Sequence, residues 1–174
     1  RTVRALEKTI FSMPDQALAT ASELVGQMVG TLLAAPDLAI HVMSDHSSVD
    51  EAYSHALNVS VLAMILAREL NFPAGVVQVL GLGTLFHDVG LSQVPSKIVN
   101  KSEPLTKSER EFVEMHCQYG VEICKKAGLP AAALRIVQQH HELYDGSGYP
   151  GKLKGEAIDP LARVAALANA FDSL

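Results

Sequence analysis

A chain of 174 residues, 48% of them hydrophobic and 19% charged, can bury a full core and falls within the usual size of one domain. Its formal net charge of −5 and pI near 5.8 exclude a nucleic-acid coat and a polybasic membrane anchor, which both need an excess of Lys and Arg. No apolar run reaches the roughly 20 residues that cross a bilayer, the N-terminus lacks the layout of a signal peptide, and Cys117 and Cys124 read as buried thiols of one helix, so a cytoplasmic chain without membrane insertion is expected.

Apolar residues recur at helical spacing in nearly every segment, and sustained period-two alternation is hard to find, which predicts an all-α domain. Helices are predicted near 3–12, 15–34, 50–70, 74–86, 106–127, 130–141 and 160–172. Pro14-Asp15 suits a helix start, and Asn71-Phe72-Pro73 ends one helix and opens the next. Thr106-Lys107-Ser108-Glu109 has the spacing of a capping box. Two loops are expected, over 91–105 and over the glycine-rich stretch 143–160. Residues 1–45 carry no chemical motif and are expected to form a helical cap or linker, with the functional domain over 46–174.

Five of the seven histidines, His55, His87, His116, His140 and His141, fall at or near predicted helical positions. Glu51 and His55 are four apart, which stacks carboxylate and imidazole on one helix face about 6 Å apart, within reach of one metal cluster. His87-Asp88 follows the apolar run from Val76 to Phe86 and precedes Gly90, where a buried helix ends and the chain turns. A buried ionised Asp is costly unless paired or coordinated. Neighbours about 100° apart around a helix let the Asp bridge two metals while the His ligates one; a capping Asp beside an exposed His is the alternative reading. His140-His141-Glu142 ends another helix, and two consecutive imidazoles suit neighbouring metals. Imidazole with carboxylate suits iron, manganese or zinc better than calcium or magnesium. His41 and His46 lack such context and read as solvated.

The segments Leu85-Phe86-His87-Asp88-Val89-Gly90, His140-His141-Glu142-Leu143-Tyr144-Asp145-Gly146-Ser147-Gly148-Tyr149-Pro150 and Ala162-Arg163-Val164 resemble the HD-GYP subgroup of the HD phosphohydrolases, which hydrolyse the bacterial second messenger cyclic di-GMP. The likeness runs from about Glu51 to Leu174, and its long second segment is the specific part. It implies a compact multi-helix HD-domain bundle with a glycine-rich GYP loop. The family's metal ligands fall on Glu51, His55, His87, Asp88, His116, His140 and His141, with Asn169 where the family has an eighth ligand, an Asp. Two or three divalent metals are implied, commonly iron or manganese, with zinc, nickel or magnesium as further options; a Glu four before the first His resembles the three-metal variants. Asp88, beside His87, would bridge two metals that share a hydroxide, and that nucleophile would open cyclic di-GMP to pGpG and on to GMP. Lys101 and Arg163 are the implied sources of positive charge for the substrate. Gly148, Tyr149 and Pro150 read first as tight-turn structure, and the family links them to contacts with diguanylate cyclase (GGDEF) domains. An upstream sensory domain and a homodimer are the other implied partners.

Three departures stand out. Leu91 replaces a family Lys, Asn169 is neutral where the family has an acid, and the chain stops at Leu174 where the family continues with a basic segment, so its end is expected to be truncated. They motivate a second expectation, a catalytically weak or inactive regulatory module that binds nucleotide or a cyclase domain. Asp172, three residues beyond Asn169, matches a separate family Asp and is not expected to be a ligand.

Overall fold

The structure, a computed structural model, describes residues 2–34 and 51–174. His41, His46 and the expected boundary at 45/46 lie outside the described residues. All regular elements among the described residues are helical. Helix α1 (Thr2–Ser12) leads into α2 (Pro14–Ala34), where Pro14 occupies the first turn, whose backbone N–H groups have no intrahelical partner in any case. Ala17, Ala21, Val25, Val29 and Leu32 of α2 are buried, a spacing of four and three that forms one continuous stripe.

Helix α3 (Glu51–Glu69) packs on α4 (Ala74–Leu85), which lies at the centre of the molecule. Every residue of α4 from Leu80 to Leu85 is buried. Gly81 and Gly83 let its neighbours close in, since a methyl group at Gly81 would lie 2.7 Å from Val25 Cγ1 and one at Gly83 would lie 2.7 Å from Ile136 Cδ1. The α3–α4 junction is a left-handed cap: Asn71 has φ 59, Phe72 N–H donates to the Ala67 carbonyl and Asn71 N–H to that of Arg68, after which Pro73 starts the next helix.

Beyond α4 the chain makes a 3-10 turn over Val89–Gln93 and the one-turn helix α5 (Ser96–Val99), so the stretch expected as loop is partly helical. The helix expected over 106–127 is two helices, α6 (Lys107–Glu114) and α7 (His116–Lys126), broken at Met115. The capping box at the start of α6 is present: Thr106 Oγ1 accepts from Glu109 N–H, and Glu109 Oε2 accepts from Thr106 N–H at 2.8 Å. Gly128 and Pro130 repeat the left-handed stop and proline start between α7 and α8 (Ala131–Gln139). The segment over 143–159 contains only a short 3-10 turn, and Asp159 then caps α9 (Pro160–Asp172) by accepting from Leu161 N–H at 2.9 Å.

One apolar core joins α1 and α2 to α3, α4, α8 and α9. Cys117 and Cys124 are buried thiols, as expected, and burial pushes each up to about 12. One expectation needs correction: the stretches 14–34 and 74–93 are long and apolar enough, by length and composition alone, to cross a membrane. The second is mostly buried in the core, where an apolar helix belongs without any lipid.

Candidate metal centre

Phe86, fully buried, closes α4 and leaves His87 and Asp88 on the turn that follows. What fixes this turn is a backbone contact. Gly90 lies so close to α7 that an added Cβ would sit 2.0 Å from the His116 carbonyl oxygen and 2.6 Å from the Gly120 nitrogen. Only glycine permits that approach, and the approach brings Asp88 to His116.

Three histidines share one local device. His87 Nδ1 lies 2.6 Å from the Thr84 carbonyl, His116 Nδ1 2.6 Å from that of Val113, and His140 Nδ1 2.9 Å from that of Val137. Each ring stands where a helix ends and takes the carbonyl three residues back, in the last turn, where the regular i to i+4 bonds run out. A carbonyl only accepts, so each Nδ1 carries the proton and each Nε2 presents a lone pair. At His116 the same bond accounts for the break at Met115, because the ring takes a last-turn carbonyl of α6.

Those lone pairs converge on one carboxylate. Asp88 Oδ2 lies 3.2 Å from His87 Nε2 and 3.8 Å from His55 Nε2. Its Oδ1 lies 3.4 Å from His116 Nε2 and 3.6 Å from His140 Nε2. His141 completes the second side, its ring 4.2 Å from that of His140 and 5.1 Å from that of His116. Two ligand sets therefore share Asp88: His55, His87 and Asp88, with ligand atoms all within 4.8 Å of one another, and Asp88, His116, His140 and His141, equally close. Between His116 Nε2 and His140 Nε2, 3.2 Å apart, two lone pairs face each other with no proton to separate them. Such a pair is repulsive unless a cation lies between, so the donor set fits divalent metals.

The electrostatics agree. Burial alone would raise the Asp88 carboxyl, but the imidazoles of His87 and His140 beside it hold it well below the usual value. Burial lowers His140 to about 4 and His141 to about 2, and lowers His116 too, so all three are neutral near pH 7 and able to ligate.

Around this centre the expected residues sort themselves. Glu51 begins α3, and its side chain lies outside the described residues. Asn169 lines a cavity of about 660 Å³ together with His140, His141 and Tyr149. Tyr149 stacks on His141 with ring centroids 4.6 Å apart, and its N–H donates to the His141 carbonyl at 3.1 Å. Gly148 must be glycine, since a Cβ there would lie 2.3 Å from the Leu143 nitrogen. Pro150 is exposed. Lys101 and Arg163 do not line the cavity: Lys101 Nζ is 2.7 Å from Glu109 Oε2, and Arg163 is 3.0 and 3.1 Å from the two carboxylate oxygens of Glu156.

Sequence reasoning missed three side chains. Asp172 Oδ2 lies 2.7 Å from His55 Nδ1, so it orients the imidazole rather than meeting a metal. Buried Glu142 accepts from Gly151 N–H at 2.5 Å and Leu153 N–H at 2.9 Å, tying down the Gly-Tyr-Pro loop. Arg110 lines the cavity. Glu142 was visible as the end of the His-His-Glu run, whereas pairing Asp172 with His55 needs the fold.

Residues 13–174 match the family model of the HD domain. Over 159 residues the chain is 34% identical to the cyclic di-GMP phosphodiesterase PA4108 of Pseudomonas aeruginosa, covering 90% of this chain and 38% of that one. It is 33% identical over 126 residues to 3'3'-cGAMP-specific phosphodiesterase 2 of Vibrio cholerae, covering 71% and 24% of the two. The chain thus spans well under half the length of these relatives. Among solved structures, Bd1817, an HDG"Y"P protein from Bdellovibrio bacteriovorus, superposes with a TM-score of 0.82 at 23% identity, over 96% of this chain and 56% of that one, and so shares the fold.

Proposed function

Because this chain belongs to the HD domain family, in the HD-GYP branch marked by its His-Asp and Gly-Tyr-Pro motifs, we propose that it is a metal-dependent phosphodiesterase acting on cyclic di-GMP. The observation that carries this reading is the position of Asp88, whose two oxygens face two separate sets of imidazoles. Divalent ions held there would acidify a water and offset charge on the phosphoryl oxygens, as paired metals do in phosphodiester hydrolysis. Water attack on phosphorus forms one P–O bond and breaks the bond to the ribose 3′ oxygen, which leaves with a proton; the product is linear pGpG, and a second cut gives GMP.

His87, His116 and His140 have their Nε2 atoms turned toward Asp88 and their rings fixed by backbone carbonyls, so ligation needs little rearrangement. Iron or manganese is our choice of metal, since the donors are imidazole and carboxylate without thiolate. Glu51, on the helix that carries His55, would serve a third ion, and Asn169, neutral but with a carbonyl oxygen, would hold its metal more weakly than an acid would. The N-terminal region over 1–45 would serve the domain as a cap or linker in this reading, and the chain works in the cytoplasm, downstream of a sensory domain. The loop at Gly148-Tyr149-Pro150 is the surface offered to a GGDEF domain.

Elemental analysis paired with cyclic di-GMP turnover in added Mn²⁺ or Fe²⁺ tests the proposal. Two or more metals per chain with turnover are expected, and Asp88→Ala should abolish both together. Stoichiometric metal without turnover would favour a regulatory module instead. Asn169→Asp should then raise both metal retention and rate if the neutral side chain is what limits the site.

A further inference from the structure

We infer that Arg110 binds the second phosphate of the substrate, the one not being cut; the inference rests on the proposed action on a cyclic dinucleotide. Such a molecule carries two phosphodiesters. While one lies at Asp88, the other still brings a negative charge into the cavity, on a chain whose net charge is already −5. A desolvated phosphate needs a cation of its own.

Among the described residues, Arg110 is the one Lys or Arg that lines the cavity holding His140, His141 and Asn169. The two cations expected from the sequence are engaged elsewhere, Lys101 by Glu109 and Arg163 by Glu156, and Leu91 is apolar. Arg110 is different. It is exposed, and no carboxylate of the described residues lies within ion-pair distance of its guanidinium. It stands in the second turn of α6, the helix whose last turn carries Val113, the residue that fixes the His116 ring. The planar fork of a guanidinium matches two oxygens of a phosphodiester. Glu114, one turn further on, lines the same cavity but forms no ion pair with the guanidinium.

The test compares two substrates on the metal-loaded protein: cyclic di-GMP, with two phosphates, and bis(p-nitrophenyl) phosphate, with one. Arg110→Ala should raise KM for cyclic di-GMP roughly ten- to hundredfold, the worth of a charge-assisted hydrogen bond. The kcat should stay within about twofold, and kcat/KM for the single diester should be unchanged, because only ground-state binding of the second phosphate is removed. Arg110→Lys should recover part of the loss, and metal content should be that of the parent. An unchanged KM for cyclic di-GMP, or an equal loss on both substrates, overturns the assignment while leaving the phosphodiesterase reading intact. A parent protein that cleaves the single diester but not cyclic di-GMP overturns the substrate assignment and this inference together.

Discussion

His55 Nδ1 and Asp172 Oδ2, 117 residues apart in the chain, lie 2.7 Å from each other. The carboxylate holds the imidazole by one nitrogen and turns the other, Nε2, toward Asp88 at 3.8 Å. His55 thus depends on a side chain for what His87, His116 and His140 obtain from backbone carbonyls. Asp172→Asn should lower metal affinity on the His55 side roughly ten- to hundredfold, the usual cost of losing such a partner. Metal counts after dialysis against a weak chelator should show fewer ions retained than in the parent, with the melting temperature nearly unchanged. Equal retention would contradict the orienting role.

Glu142 offers a second test, because its two oxygens accept from two different backbone N–H groups, those of Gly151 and Leu153. Glu142→Gln preserves shape but sets an amide N–H₂ against one of those donors. The loss should be about 2 kcal/mol in stability. Protease cleavage between 143 and 159 should accelerate, with metal content preserved. A loop as resistant as the parent's would show that Glu142 does not hold it.

Steric demands at glycines can be compared directly. Gly90→Ala puts a methyl carbon onto the His116 carbonyl oxygen, and backbone cannot rotate away as a side chain would. About 3 kcal/mol of destabilisation is expected, together with loss of metal, since the turn carrying Asp88 must move. Gly30 is an exposed helical position with nothing within 4 Å of an added Cβ. There the same substitution should stabilise by up to about 1 kcal/mol. Urea melts of both variants check the contrast.

The metal-free protein should be sensitive to mild acid. His140 is lowered from 6.5 to about 4 by burial, and His116 and His141 are lowered as well. Between pH 6.5 and about 4 the unfolded chain therefore binds protons that the native chain refuses, and stability falls as pH falls. The urea midpoint of chelator-treated protein should drop steadily across that window. A midpoint independent of pH there would mean that these rings are not held neutral by burial.

Most helix boundaries were legible because they are set locally. Pro14, Pro73, Pro130 and Pro160 start helices through their fixed φ, and Thr106 with Glu109 marks a start through a reciprocal pair of hydrogen bonds. The break at Met115 was not legible, since it depends on the ring of His116 competing for the Val113 carbonyl. The candidate ligands were readable for a related reason: His and Asp at helix ends carry their chemistry in their type. What could not be read was how cations are shared. Nothing local assigns Lys101 to Glu109 or Arg163 to Glu156, and only the folded chain turns α6 so that Arg110 lines the cavity.

The three histidines that take their own helices' carbonyls also report the direction of those helices. Helices α4, α6 and α8 all end at the centre, so their dipoles point their negative poles, each worth about half an elementary charge, at the same few ångströms. With Asp88 ionised among them, the bare centre is a trap for cations and repels anions. A phosphodiester should therefore bind only after the metals do. Chelation should then abolish substrate affinity as well as turnover, so that the metals govern binding as much as chemistry.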